Sequence, residues 1–166
     1  MATFRVPIMD ASVKPDGSGD AFFEPYSVKA TNDFFDYLVA VFNDTGAKDS
    51  IHGKFPVPGD YVGSPKFIVR WTSTATSGNF QIDVDYRSVA VGESLDQATA
   101  QEALTVTDVA PGTTDLMQEA ELAATAGNFT ANDLCQWILS RDGATEASGI
   151  AAAVTVHELL FEYADA

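Results

Sequence analysis

Between Lys66 and Val91 the chain reads KFIVRWTSTATSGNFQIDVDYRSVAV, and this stretch decides the fold class. Phe67, Val69 and Trp71 alternate with Lys66, Ile68 and Arg70. Beyond Thr72–Gly78, Phe80, Ile82, Val84 and Tyr86 alternate with Asn79, Gln81, Asp83, Asp85 and Arg87. Period-two alternation places successive side chains on opposite faces of a pleated strand, so two strands are expected, each with an apolar and a polar face. The segment between them is small, polar and closed by Gly78, as a hairpin loop would be, so the two are expected to pair antiparallel. Lys66 and Arg70 would then meet Asp85 and Asp83 across the strands.

Outward from this pair the same pattern recurs. Phe4–Met9 reads as a strand that Pro7, lacking an N–H, confines to an edge or an arm. Asp16-Gly17-Ser18-Gly19-Asp20 reads as a turn, followed by extended pieces near Ala21–Glu24 and Ser27–Ala30. Phe34–Phe42 fits a strand apolar on both sides, with Phe35, Tyr37, Val39 and Val41 opposite Leu38, Ala40 and Phe42. Leu95–Ala103 reads as a short helix with Ser94 as its cap. Leu104–Asp108 and Leu116–Thr125 read as strands joined by the turn Ala110-Pro111-Gly112-Thr113-Thr114. Leu134–Arg141 puts Cys135, Trp137 and Leu139 on one face. Val154–Tyr163 turns Leu159, Phe161 and Tyr163 inward with Thr155 and His157, and exposes Glu158 and Glu162. About eight short strands at regular spacing predict an all-β chain, a jelly-roll-like antiparallel β-sandwich. Residues 1–166 are expected to form one domain, with 1–30 as an N-terminal arm and 31–166 as the sandwich. No internal repeat is found.

The chain has 166 residues, 24 of them acidic and 9 basic, for a net charge of −15. Nucleic-acid binding needs a basic stripe, which nine dispersed cations do not supply. The 46% hydrophobic and 11% aromatic content supports a packed core. The acidity is uneven: from Ser88 onward there are thirteen acids and one base, Arg141, against eleven and eight before it. A lone Cys135 in an apolar run reads as a buried thiol and excludes an internal disulfide. No apolar run approaches the ~20 residues of a membrane span, and Met1–Asp10 lacks the pattern of a signal peptide. A soluble protein made in the cytoplasm, without membrane contact, is expected.

No catalytic motif emerges. Asp83 and Asp85 share a strand face, and ion pairing accounts for them better than acid–base catalysis. Asp16–Asp20 offers oxygen ligands but no closing bidentate Glu, so calcium is not expected. His52 and His157 lack partners at ligand spacing, so zinc is not expected, nor is any cofactor. Gly17-Ser18-Gly19 and Thr76-Ser77-Gly78 are turns, not nucleophile elbows. Trp71, Tyr86 and Trp137 are in register with core residues, whereas Tyr61 lies on a loop and is the aromatic most open to ligand stacking.

Two segments carry a family resemblance. Phe55-Pro56-Val57-Pro58-Gly59-Asp60-Tyr61-Val62-Gly63-Ser64-Pro65 leads into a strand ending in Trp71 and a loop Ala75-Thr76-Ser77-Gly78. Near the C-terminus come Gly127-Asn128-Phe129, a strand ending in Arg141-Asp142, a polar loop, and a strand ending in Glu162-Tyr163. The pattern resembles small jelly-roll virion proteins of tailed bacteriophages. The resemblance makes Phe55, Asp60, Tyr61, Trp71, Tyr86, Arg141 and Tyr163 structural motif positions. The chain departs from it where Gly149-Ile150-Ala151-Ala152-Ala153 replaces an acidic element before the last strand.

The resemblance implies a non-enzymatic capsid decoration protein on the virion exterior, a homotrimer bound to the major capsid protein. Phe4, Val6 and Ile8 of the arm, with Phe35, Tyr37, Phe42 and His157, are the candidate interface residues, and the acidic half would face outward. The alternative is a carbohydrate-binding module or tail-fibre tip that attaches to host glycans, which calls for exposed aromatics.

Overall fold

The computed structural model describes residues 1–9, 22–27, 36–43, 48–96, 99–143 and 145–166. Ten strands run in chain order: β1 Thr3–Pro7, β2 Phe22–Ser27, β3 Asp36–Phe42, β4 Lys48–Pro56, β5 Tyr61–Ser73, β6 Asn79–Val89, β7 Glu102–Val109, β8 Gln118–Ala123, β9 Leu134–Asp142 and β10 Val154–Asp165. They form two antiparallel sheets, one ordered β2-β3-β10-β5-β8 and the other β4-β9-β6-β7, stacked as a jelly-roll-like β-sandwich. In the first sheet β10 pairs with β5 along one edge, while β3 and then β1 share its other edge.

The alternation of β5 and β6 sets their faces as expected, but the two strands are not a hairpin. β5 pairs with β10 and β8, and β6 pairs with β7 and β9. Each has both edges occupied within its own sheet, so Thr74–Gly78 is an arch from one sheet to the other. Gly78 makes it possible: its φ is +105°, and a Cβ there would sit 2.8 Å from the Gly149 carbonyl oxygen. The expected ion pairs change accordingly. Lys66 meets Glu121 and Glu162, Arg70 meets Glu119 and Glu158, and Asp83 meets Lys48.

The segment Ala110–Thr114 is likewise a crossing between sheets, since β7 and β8 lie in different ones. Among the described residues of Leu95–Ala103 there is no helix, and Glu102 and Ala103 already belong to β7. β4 has no counterpart in the sequence reading, because its inward row Asp49, Ile51, Gly53 and Phe55 mixes polar and apolar residues. Thr3–Pro7 and Phe22–Ser27, expected in an arm, are strands of the first sheet, and Pro7 and Pro25 both sit on edge strands, where a missing N–H is tolerated. The turn Asp16–Asp20 and Phe35 lie outside the described residues.

β3 is buried on both sides only over its second half: Ala40 and Phe42 enter the core and Val39 and Val41 are buried on the opposite face, whereas Tyr37 and Leu38, expected in the same two rows, are 40% and 60% exposed. β10 carries a bulge between Val156 and Glu158, which turns Val154 and Val156 inward ahead of Leu159, Phe161 and Tyr163. Glu162, expected to be exposed, is buried, held by Arg5 at 2.7 Å and Lys66 at 3.3 Å. Aromatic pairs tie the two sheets together: Phe55 to Phe161 at 4.7 Å, Phe67 to Tyr86 at 5.3 Å, and Trp71 edge-on to Phe80 at 5.2 Å. Truncating any one of these to Ala is expected to cost ~3–5 kcal/mol.

Candidate functional site

Four of the sequence-derived motif positions are core residues. Phe55, Trp71, Tyr86 and Tyr163 are at most 5% exposed. The Trp71 indole N–H donates to Asp108 at 2.9 Å, and the Tyr86 hydroxyl donates to Glu102. Tyr163 donates to Asp60 at 2.9 Å, so those two motif residues meet. Tyr61 is not a free platform: its ring packs against Phe129, Phe161 and Tyr163, and its hydroxyl donates to the Ala126 carbonyl at 3.0 Å.

Arg141 is fully buried. Its guanidinium forks onto Glu146, with Nε and Nη2 each 3.0 Å from a carboxylate oxygen, and donates to the carbonyls of Ala152 at 2.9 Å and Ile150 at 2.6 Å. The loop before β10 therefore does carry an acid. Glu146 stands earlier in the loop than the Gly149–Ala153 run, and nothing in the spacing of a single loop Glu marks it for burial.

The interface candidates separate by exposure. Ile8, Phe42 and His157 are buried within the chain's own fold, whereas Phe4 and Tyr37 are 44% and 40% exposed. His157 sits between the Tyr37 hydroxyl at 3.0 Å and the Thr72 hydroxyl at 2.8 Å, and burial pushes its pKa below the ordinary 6.5. His52 and His157 lie on different sheets. Among the described residues no three His, Cys, Asp or Glu side chains cluster as metal ligands. Burial pushes the Cys135 thiol well above its usual range, so it stays protonated and unreactive. No helix is long and apolar enough to cross a membrane, among the described residues.

A cleft of about 490 Å³ opens on the outer face of the second sheet, over β4, β9 and β6. Its floor follows from strand pairing. Gly53 opposes Trp137, and Trp137 opposes Tyr86, with the two aromatic side chains directed into the core. Their neighbours therefore point outward and form two rows across three strands. One row is His52, Ile138 and Asp85, and the other is Lys54, Gln136 and Arg87. Gly53 is required where it stands, since a Cβ there would lie 2.2 Å from Cζ2 of the Trp137 ring.

The wall is the segment carrying Thr99 and Ala100. Gln101 N–H donates to the Tyr86 carbonyl at 2.8 Å, Ser88 N–H donates to the Gln101 side chain at 3.1 Å, and Arg87 Nε donates to the Thr99 carbonyl at 2.9 Å. Burial lowers the His52 pKa, so at neutral pH its ring offers one donor and one acceptor. Asp85 adds acceptors, Gln136 adds both kinds, and Lys54 and Arg87 add donors. This set can donate to and accept from hydroxyls and amides from several directions. It contains no nucleophile seated beside a base.

The sequence reading noted only the inward side of β9 and missed Gln136 and Ile138. The same alternation that placed Trp137 in the core also places them outside.

No protein-family model matches the sequence, and no curated protein matches it. Among solved structures the chain is similar to a family 35 carbohydrate-binding module from Clostridium thermocellum, with a TM-score of 0.52 at 13% identity over 99% of both chains. It is also similar to a family 11 carbohydrate-binding module of a cellulosomal cellulase of Clostridium thermocellum, with a TM-score of 0.52 at 10% identity over 99% of this chain and 95% of that one. A family 28 module described as specific for non-crystalline cellulose gives a TM-score of 0.56 at 13% identity, over 95% and 94%. At these identities the likeness establishes the β-sandwich fold.

Proposed function

We propose that the chain is a non-catalytic binding module that takes a glycan in the cleft over β4, β9 and β6. The observation that carries this reading is the cleft itself: two outward rows of hydrogen-bonding side chains beneath a wall, on a face that the other described residues leave open. Full-length likeness to three carbohydrate-binding modules supports it. Trp71 and Trp137 are 0% and 1% exposed, so binding here rests on hydrogen bonds to hydroxyls and not on stacking against those rings. A glycan array followed by calorimetry tests the reading. Binding that is lost in Gln136→Ala, with the melting temperature unchanged, supports it, and a blank array refutes it.

A second reading keeps the virion role: a decoration or fibre protein, trimeric, seated on a major capsid protein. Exposed Phe4, Tyr37 and Leu38 on strands of the first sheet, the sheet opposite the cleft, favour it, because apolar surface there would suit a neighbouring copy. Sedimentation decides it: a trimer supports this reading, and a monomer at high micromolar concentration contradicts it. The two readings use residues of different sheets and are compatible.

A further inference from the structure

In a chain with 24 acids and 9 bases, a cation without a carboxylate partner stands out. Among the described residues, Arg5, Lys48, Lys66, Arg70 and Arg141 are each ion-paired. Lys54 and Arg87 are not, and both line the cleft, on either side of Gln136 in one cross-strand row. Arg87 commits only its Nε, to the Thr99 carbonyl, which leaves both Nη amines to donate outward.

We infer that the cleft selects an acidic glycan, one bearing carboxylate or sulfate groups, with Lys54 and Arg87 as the residues that read its charge. This rests on the glycan-binding reading of the same cleft. A guanidinium presents parallel N–H groups that match the oxygens of a carboxylate or a sulfate, and the ammonium of Lys54 adds a second point charge. Asp85, one row away, repels an anion, so the ligand lies with its acidic groups over Lys54, Gln136 and Arg87. Its hydroxyls then fall toward His52 and Asp85. The cleft is thus polarised along the strands, with a cationic end and an acceptor end.

Calorimetry with three tetramers tests this: galacturonic acid, its methyl ester, and a sulfated galactose oligomer. At least one acidic tetramer is expected to bind about tenfold or more tightly than the ester, the scale of one charge-assisted hydrogen bond. Arg87→Gln and Lys54→Gln should each bring the preferred acid toward the ester's affinity, with unchanged melting temperature, and Arg87→Lys should retain part of the preference. Whichever acid binds more tightly identifies the anionic group. Equal affinity for acids and ester, or a preference that survives both Gln variants, overturns the inference and leaves the glycan reading standing. No binding of any of the three, together with a blank glycan array, overturns both.

Discussion

Replacing Glu146 with Ala takes from the buried Arg141 guanidinium the carboxylate it forks onto. Both side chains are 0% exposed, so water cannot take over. Two of the five N–H groups of Arg141 reach Glu146 and others reach the Ala152 and Ile150 carbonyls, so the guanidinium loses this carboxylate fork but keeps the rest of its hydrogen-bond shell. Breaking a buried pair from one side costs ~3–5 kcal/mol. For a chain of this size, where 1 kcal/mol moves the midpoint by about 2–4 °C, the melting temperature should fall by roughly 6–20 °C. The loss should be local in origin. Glu146 also accepts from the Gln81 N–H at 3.1 Å, and the neighbouring loop is fastened to Asn79 through Ser148 and Ile150, so one acid anchors the loop to the start of β6. Urea denaturation of Glu146→Ala, Arg141→Met and the double variant measures both the cost and the coupling between the two sites. A cost below ~1 kcal/mol, the value of an exposed pair, or independent effects in the double variant, would refute this reasoning.

Gly53→Ala drives a methyl into the Trp137 ring, which is held between the sheets. A cost of ~1–3 kcal/mol is expected from urea denaturation. Stability should also fall with pH in two stages. His157 is held below 6.5 chiefly by burial, while Glu162 and Glu119 are held below 4.5 chiefly by hydrogen bonds from Arg5 and Arg70. Each binds its proton more weakly folded than unfolded, so unfolding takes up protons on acidification. The contribution is complete above about pH 6.5 for the histidine and above about 4.5 for the carboxylates, and is lost as pH falls through the lower folded values. Thermal melts from pH 8 to 3 should show both declines, and Arg5→Gln should flatten the lower one.

The fold was legible in the sequence to the extent that alternation reports faces. Trp71, Tyr86, Trp137 and Phe161 were placed in the core by period two alone, and the two-sided burial of Val39–Phe42 followed from the apolar run of β3, which does not report that Tyr37 and Leu38 at its start are exposed. Alternation does not report partners. β5 and β6 have the pattern and loop of a hairpin, yet each completes a different sheet, because a polar loop of this length permits an arch as readily as a reversal. β4 was hidden because Asp49 and Gly53 occupy inward positions, one accepting from the Asn43 N–H at 2.9 Å and the other yielding space to Trp137. Within the cleft, His52, Lys54, Asp85 and Arg87 are ordinary polar residues until β4, β9 and β6 set them side by side. Their grouping depends on register between strands far apart in sequence, which no local pattern encodes.

Amide chemical-shift mapping during titration with an acidic oligosaccharide tests the central claim most directly. The account predicts shifts concentrated at His52, Lys54, Gln136, Ile138, Asp85 and Arg87, with the first sheet unmoved. Shifts centred on Phe4, Tyr37 and Leu38, or none at saturating ligand, would contradict it.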